Sequence, residues 1–541
     1  MKGKVMRGKP TKIAALLCAA TMSFSLCACG GDSGSDDITG HSAGQELKQT
    51  TAADDVFTLN YNDNYSMNPL SATNTNNQLV CNLVYENMVE VDNSFEAIPN
   101  VITSWTTEDG KNWTFTVADD RYFHDGSHLT AYDVAYSLRC ATDSERYRSR
   151  LYYIGAVSVN DAESFTVNIT KVNMQFPKLL SIPVIKDGSF GSDFPQGSGP
   201  YAISRNHKKL QAFKKYPTYE TLPLKTIYLE QYTTVDETMS AFEDSLIDAV
   251  LNDPTAPTNL GYGATNEIRG YNTTNLHYIG VNMGSSIMQN VAIRAACALA
   301  FDRDTIVSEQ LGGYGVPTTQ IISPASQYYS TTVNNQNKFS LEKVERILKN
   351  AGLKNLDEDE YLEMRISEEE YMDVTINFVV CGSSGEKVNV AHQFEADMEK
   401  LGIAVNVNTL GWEAYKEAVD AGNFDLYYGE VRLNSDFDPS RLLCSEGKLN
   451  YGGVADATLE KYISEYLAAS QDDRYDAAET MSAYICNNAY IIPICYEKHQ
   501  LVTHRGLIEG IQVNENNPLC DFAHWKISFA ENISGDSEEK D

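Results

Sequence analysis

Residues 374–407 read VTINFVVCGSSGEKVNVAHQFEADMEKLGIAVNV, and their pattern decides the class of fold. Residues 374–380 predict a strand. Residues 386–401 predict a helix, stopped by Gly402 at a position suited to left-handed backbone. Ile403, Val405 and Val407 then alternate as a second strand. Strand, helix and strand with short joints make a βαβ unit, which requires parallel strands. Gly382-Ser383-Ser384-Gly385-Glu386-Lys387 loosely resembles a phosphate loop but lacks its spacing. It is read as the turn into the helix, whose N-terminus is also a place for an anion.

The same style continues on both sides. Residues 412–421 predict a helix that ends at Gly422 and leads into a strand at 424–428. A helix over 340–351 ends at Gly352. Earlier, Leu79, Leu83, Val84 and Met88 fall at helical spacing within 78–91. Trp113, Phe115 and Val117 alternate with Thr, as do Phe165, Val167 and Ile169 with polar residues, so both are strands. His124-Asp125-Gly126 is a turn, and Thr130 with Asp133 forms a capping box before a helix carrying Val134 and Leu138. The class is α/β with an added β-rich block, and no internal repeat is visible.

The N-terminus carries a different signal. Lys2, Lys4, Arg7, Lys9 and Lys12 precede an apolar run over 13–26, then Leu26-Cys27-Ala28-Cys29 and a Gly/Ser/Asp stretch. This is the layout of a secretory leader, and its end resembles a bacterial lipobox. The resemblance implies that the Cys29 thiol receives a diacylglycerol and that cleavage just before it makes Cys29 the first mature residue, a lipoprotein carrying palmitate. The alternative is a leader whose cleavage site merely contains Cys. The run is too short for a spanning helix. Residues 1–28 are read as the leader, 29–54 as a flexible tether and 531–541 as an acidic tail. The expected location is the outer side of the cell membrane, lipid-anchored.

With 541 residues the chain has room for two to four folding units. Its 42% hydrophobic content is enough for real cores. Net charge is −32, and loss of the five basic residues of an acid-free leader brings the exported part near −37. No basic patch exists to release phosphate counterions, so a nucleic-acid partner is excluded. Of eleven Cys, eight follow Cys29, scattered and without a C-x-x-C pair. They read as buried small hydrophobes rather than a disulfide framework.

Catalytic signatures are absent: no G-x-S-x-G, H-E-x-x-H, Walker loop or G-x-G-x-x-G occurs. His124 and His128 are four apart, but Asp125-Gly126 between them argues against one helix face and so against a metal pair. No cofactor and no metal are expected, and no catalytic residue is assigned.

Several blocks together resemble the extracellular solute-binding proteins of oligopeptide and dipeptide ABC importers, family 5, over about residues 57–527. They are Ser66-Met67-Asn68-Pro69-Leu70, Leu83-Val84-Tyr85-Glu86-Asn87-Met88, Ile98-Pro99, Ser104-Trp105, and Asp109-Gly110. The strongest runs from Trp113-Thr114-Phe115 through Phe123-His124-Asp125-Gly126 to Leu129-Thr130-Ala131-Tyr132-Asp133-Val134. Gly197-Ser198-Gly199-Pro200-Tyr201, Ile279-Gly280-Val281-Asn282, Phe301-Asp302-Arg303 and Asp436-Phe437-Asp438-Pro439 complete the set.

The resemblance implies a two-lobe periplasmic-binding-protein-like α/β fold with an inserted β-rich domain. Lobe I would combine 55–85, 186–277 and 499–530; the insert would be 86–185; lobe II would be 278–498. Two crossing strands, near 278–282 and 496–500, would form the hinge. A monomer is expected to close on a peptide or peptide-like solute and pass it to permease subunits. Other ligands for the fold are a nickel chelate, a glycan or an opine-like molecule; other roles are a peptide-sensing receptor or an exported hydrolase.

For the site, the resemblance gives Asp436, with Asp438 as fallback, as partner of a ligand α-ammonium. The alternative is a solvated Asp, or one capping the helix near Ser440. Arg432 and Asn434 precede it in a stretch where the family carries Trp. Arg432 would favour an anionic group on the ligand, or is a surface Arg. Trp412 either stacks on a ligand or starts its helix against the core. Asn252, Tyr65 and Ser66 fall where the family lines its cleft.

Overall fold

In the βαβ unit, the strands Thr375–Cys381 and Ala404–Leu410 run parallel, in register from Thr375 opposite Ala404 to Cys381 opposite Leu410. The helix Gly385–Glu399 joins them; the Ser384 side chain accepts from the Lys387 N–H and caps its start, so the Gly-rich loop is a helix entry. Gly402 follows at φ 76°. These features come from a computed structural model that describes residues 56–529 except 257, 258, 260, 262–265, 357, 358, 366 and 369. The leader, Cys29, the tether and the acidic tail lie outside the described residues.

The unit is one end of an eleven-stranded mixed sheet. From that end the order is Ala404–Leu410, Thr375–Cys381, Leu426–Arg432, Asn266–Val281, Ile491–His504, Ala249–Asn252, Thr58–Asn60, Thr226–Glu230, Lys209–Ala212 and Tyr201–Ile203. Gly315–Pro317 pairs off this path with Ile491–His504. The expected crossing segments are parts of two long antiparallel strands, Asn266–Val281 and Ile491–His504. Their register shifts between Asn272 and Leu276, where Thr273 Oγ1 donates to the Glu497 carbonyl at 2.9 Å.

Core composition explains the strand sequences. Ile376, Phe378 and Val380 face one apolar cluster with Phe301 and Phe394, while Val379 faces another with Tyr278, Tyr427 and Tyr466. A strand covered on both faces reads as an unbroken apolar run, as 376–380 nearly does. At the other end of the sheet, Phe57, Leu59, Tyr201 and Ile227 share a cluster with Trp113, Phe115, Phe165 and Phe176. The last four belong to or cover a four-stranded antiparallel sheet, Ile102–Thr106, Asn112–Val117, Ser164–Ile169 and Ile154–Val159. Each fully buried Phe contributes about 1.5–3 kcal/mol.

The strongest sequence block is scaffold. Asp133 accepts the Thr130 N–H at 3.0 Å at the start of the helix Ala131–Asp143. His124 donates its backbone N–H to Gly197 O, and its Nε2 is 3.0 Å from Gly199 O. Burial pushes the His124 pKa down to about 4, so the ring is neutral and donates to that carbonyl. His128 instead pairs with Asp119 O, 2.7 Å away. A Cβ at Gly199 would stand 2.6 Å from the Val84 carbonyl carbon, which explains a Gly there.

One element differs from expectation. The early helix spans Thr75–Val84, and Val89–Val91 is a strand paired with Ala97–Pro99. Residues 84–88 bond instead to the returning chain: Gly199 N–H to Val84 O, Val184 N–H to Glu86 O, and Met88 N–H to Ile182 O. The helical spacing of Met88 is therefore coincidental.

Candidate functional site

Three adjoining cavities follow the crossing strands. The first, about 440 Å³, is lined by Thr75, Asn252, Asp253, Tyr271 and His499 among others. The second, about 300 Å³, shares Thr75, Leu251, Tyr271 and His499 with it and adds Gln78, Arg146, Asn275, Arg432 and Glu515. The third, about 200 Å³, shares Asp253 with the first and adds His277, Lys387, Glu430 and Glu497. Together they form a polar cleft, basic toward Arg146 and Arg432 and acidic toward Asp253, Glu430 and Glu497.

Each end is held by its own contacts. Arg432 Nη2 meets Glu515 Oε1 at 2.9 Å, and Glu515 also accepts the Thr274 N–H at 2.9 Å. The Glu515 carboxylate raises the Arg432 pKa further, so the guanidinium stays charged. At the acidic end, His277 Nε2 donates to Glu497 Oε1 at 2.6 Å and Lys387 lies 2.5 Å from Glu430. Burial pushes the Glu497 carboxyl up, but His277, His499 and Asn275 more than reverse this and leave it well below the usual range.

The structure brings two of the expected site residues into this cleft. Asn252 lines the first cavity and donates to Gln500 Oε1 at 2.9 Å. Arg432 lines the second. Asp436 is 1% exposed and sits under the β-rich block: Asn173 Nδ2 donates to its Oδ2 at 2.9 Å, and Tyr466 O–H to its carbonyl at 2.8 Å. Burial first, then the neighbouring Asp438 carboxylate, raise its pKa to about 6. The next residue, Phe437, packs edge-on against Phe95 at 5.1 Å.

Asp438 Oδ1 accepts the Ser440 N–H at 2.8 Å at the start of the short helix Ser440–Leu443. Asn434 accepts the Phe437 N–H through its carbonyl. Trp412 opens the helix Trp412–Asp420 but is 58% exposed, so it does not start that helix against the core. Tyr65 is exposed and Ser66 accepts the Asn68 N–H. These six line none of the three cleft cavities. A fourth cavity of about 660 Å³ lies between Arg148, Tyr152 and Lys171 on one side and Arg441 and Lys448 on the other.

Sequence reasoning missed Asp253, Glu430, Glu497, His499 and Glu515. A partial signal existed: Glu497 and His499 are two apart in one strand, which places both on one face.

A two-lobe α/β molecule with a polar cleft along its crossing strands is a solute-binding protein. The chain belongs to the bacterial extracellular solute-binding proteins, family 5, whose middle-region profile matches residues 96–445. It is 23% identical to the oligopeptide-binding protein AppA of Bacillus subtilis over 97% of this chain and 100% of that one. It is 22% identical to the nickel-binding periplasmic protein of Escherichia coli, covering 79% of this chain and 87% of that one. The solved ABC transporter substrate-binding protein CtaP of Listeria monocytogenes superimposes with a TM-score of 0.69 at 17% identity, over 88% of this chain and all of that one. These relatives are binding proteins, not enzymes. Among the described residues no helix is long and apolar enough to cross a membrane.

Proposed function

We propose that this chain is the lipid-anchored substrate-binding component of an ABC importer and captures a peptide or peptide-like solute in the cleft for delivery to permease subunits. The observation that carries the reading is the continuous polar cleft along the two crossing strands, with Arg146 and Arg432 at one end. These cations suit a ligand carboxylate, and Asn252, held by Gln500 and Asn259, shapes the adjoining wall. Closure of the lobes excludes water and strengthens such hydrogen bonds. Asp436 serves as a positioning residue, since its carboxylate is committed to Asn173. The oligopeptide-binding relative supports a peptide as the solute, and the nickel-binding relative at similar identity supports a chelate as the alternative.

Calorimetric titration with short peptides tests the reading. Saturable one-to-one binding is expected, weakened about tenfold, or about 1.4 kcal/mol, in Arg432→Ala. The effect is modest because this side chain is 63% exposed. Absence of binding to any peptide, or conversion of the peptide, would overturn it. The anchor is tested separately: Cys29→Ala should release the protein from membranes, and retention would contradict lipidation.

A further inference from the structure

The cavity of about 660 Å³ shares no lining residue with the three cavities of the cleft, and solute capture as described does not use it. One wall is the segment after the helix Ala131–Asp143, with Glu145, Arg148 and Tyr152, together with Lys171 beyond the strand Ser164–Ile169. The other wall is the short helix Ser440–Leu443 and the loop after it, with Arg441, Glu446 and Lys448. Four cations and two carboxylates therefore line it, a surplus of two positive charges on a chain of net charge −32.

The nearby carboxylates do not cancel that surplus. Glu145 is 3.9 Å from Arg148 with its side chain 91% exposed, a pair of little strength. Asp438 Oδ1 accepts the Ser440 N–H, and Glu460 Oε1 accepts the Ser445 N–H and Oγ–H at 2.8 and 2.7 Å. Lys171 Nζ meets the Tyr152 hydroxyl at 3.3 Å. Burial pulls the Lys171 pKa down, but Tyr152 and Asp438 more than reverse this, so the ammonium is charged. Among the described residues neither Arg441 nor Lys448 has a carboxylate partner. Their wall is held by its own backbone. Leu449 N–H donates to Arg441 O at 2.9 Å and Gly447 N–H to Cys444 O at 2.8 Å, while Asn450 Nδ2 donates to Cys444 O and Val454 O at 3.0 and 2.8 Å. A Cβ on Gly447 would stand 2.5 Å from the Arg441 carbonyl oxygen. Cations gathered on such a fixed wall repel one another until an anion enters, and the fixed wall lowers the entropy cost of its entry.

Charge and size together select the guest. A carboxylate or a phosphodiester brings a single negative charge, whereas a phosphate monoester brings about −1.5 to −2 near neutral pH, which matches the surplus. Arginine adds a fork of donors suited to phosphate oxygens. The space exceeds a bare phosphate and falls within the ~300–1,000 Å³ of small-molecule sites. The exposed Tyr152 ring offers a face to the organic part. We propose that this cavity, at the seam between the β-rich block and the helix Ser440–Leu443, binds a small organic phosphate monoester through Arg148, Lys171, Arg441 and Lys448. The site stands apart from the cleft and does not depend on what the cleft captures.

The test is calorimetric titration of the full mature chain with phenyl phosphate, inorganic phosphate and dimethyl phosphate at constant ionic strength. One saturable equivalent of phenyl phosphate is expected, with dimethyl phosphate, a diester, about tenfold weaker. Arg441→Gln and Lys448→Gln should each weaken phenyl phosphate about tenfold. Tyr152→Ala should weaken phenyl phosphate more than inorganic phosphate. Lys461→Gln, at a lysine on the next helix beside Glu465, should change nothing. No saturable binding, equal affinity for the diester, or equal binding in folded Arg441 and Lys448 variants would overturn the site. Arg432→Ala separates this site from the cleft: it should leave phenyl phosphate binding intact, and a loss there would put the anion in the cleft and overturn the proposal. Phenyl phosphate binding that is lost in Arg441→Gln, in a chain that binds no peptide, supports this site and overturns peptide capture. Peptide binding without phenyl phosphate binding does the reverse.

Discussion

Asp436 shows what a single buried carboxyl costs. With a pKa raised to about 6 in the fold, it binds its proton more tightly than in the unfolded chain. Its stabilising contribution is therefore present in acid and lost as pH rises through about 6. Asp436→Asn keeps an acceptor for Asn173 and removes the ionisation. It should raise stability by about 1–2 kcal/mol at pH 7, and the advantage should vanish below pH 4. Denaturant unfolding across that range checks this; a variant less stable than wild type at pH 7 would contradict it. The acidic loop was legible in the sequence, but its depth was not, because Asn173 lies 263 residues away. The same holds for Asp253 and His499: no local pattern joins an Asp at a strand end to a His nearly half the chain later. His124 was legible as scaffold because its turn and the Gly197–Gly199 block are both local motifs.

At the scale of elements, the crossing strand Asn266–Val281 is held to its neighbour Leu426–Arg432 by reciprocal Gly–Tyr pairs. Tyr278 lies opposite Gly429 and Gly280 opposite Tyr427, and the two phenol oxygens are 3.0 Å apart. A Cβ on Gly280 would stand 1.9 Å from the Tyr427 ring, and one on Gly429 2.5 Å from Tyr278. Gly280→Ala should therefore destabilise the protein by about 1–3 kcal/mol through overpacking, measured by denaturant unfolding. Adding Tyr427→Phe should not rescue it, since the clash is with the ring; rescue would contradict the account. The sequence announced the βαβ unit, because its strand, helix and Gly stop are contiguous. It misread 85–91, where pairing with distant chain overrides helical spacing. It also left the crossing strands short, since a strand covered by changing partners loses its alternation.

The whole molecule joins the apolar clusters at the two ends of one sheet, and the cleft lies along the strands that cross between them. Its class was readable because many weak blocks occur in a fixed order. The cleft was readable only in part: Asn252 and Arg432 were found, whereas its acidic end, assembled from four separate segments, was not. Capture of a ligand by the folded chain should raise the melting temperature as ligand concentration rises, and a scan with a bound peptide checks it; no shift at saturation would contradict capture. Native mass spectrometry of the mature chain, freshly purified and then offered a library of short peptides, tests the account most directly. It should show one peptide retained per chain, reduced in a combined Asn252→Ala and Arg432→Ala variant. A chain that retains no peptide, or equal retention in the folded variant, would contradict solute capture in this cleft.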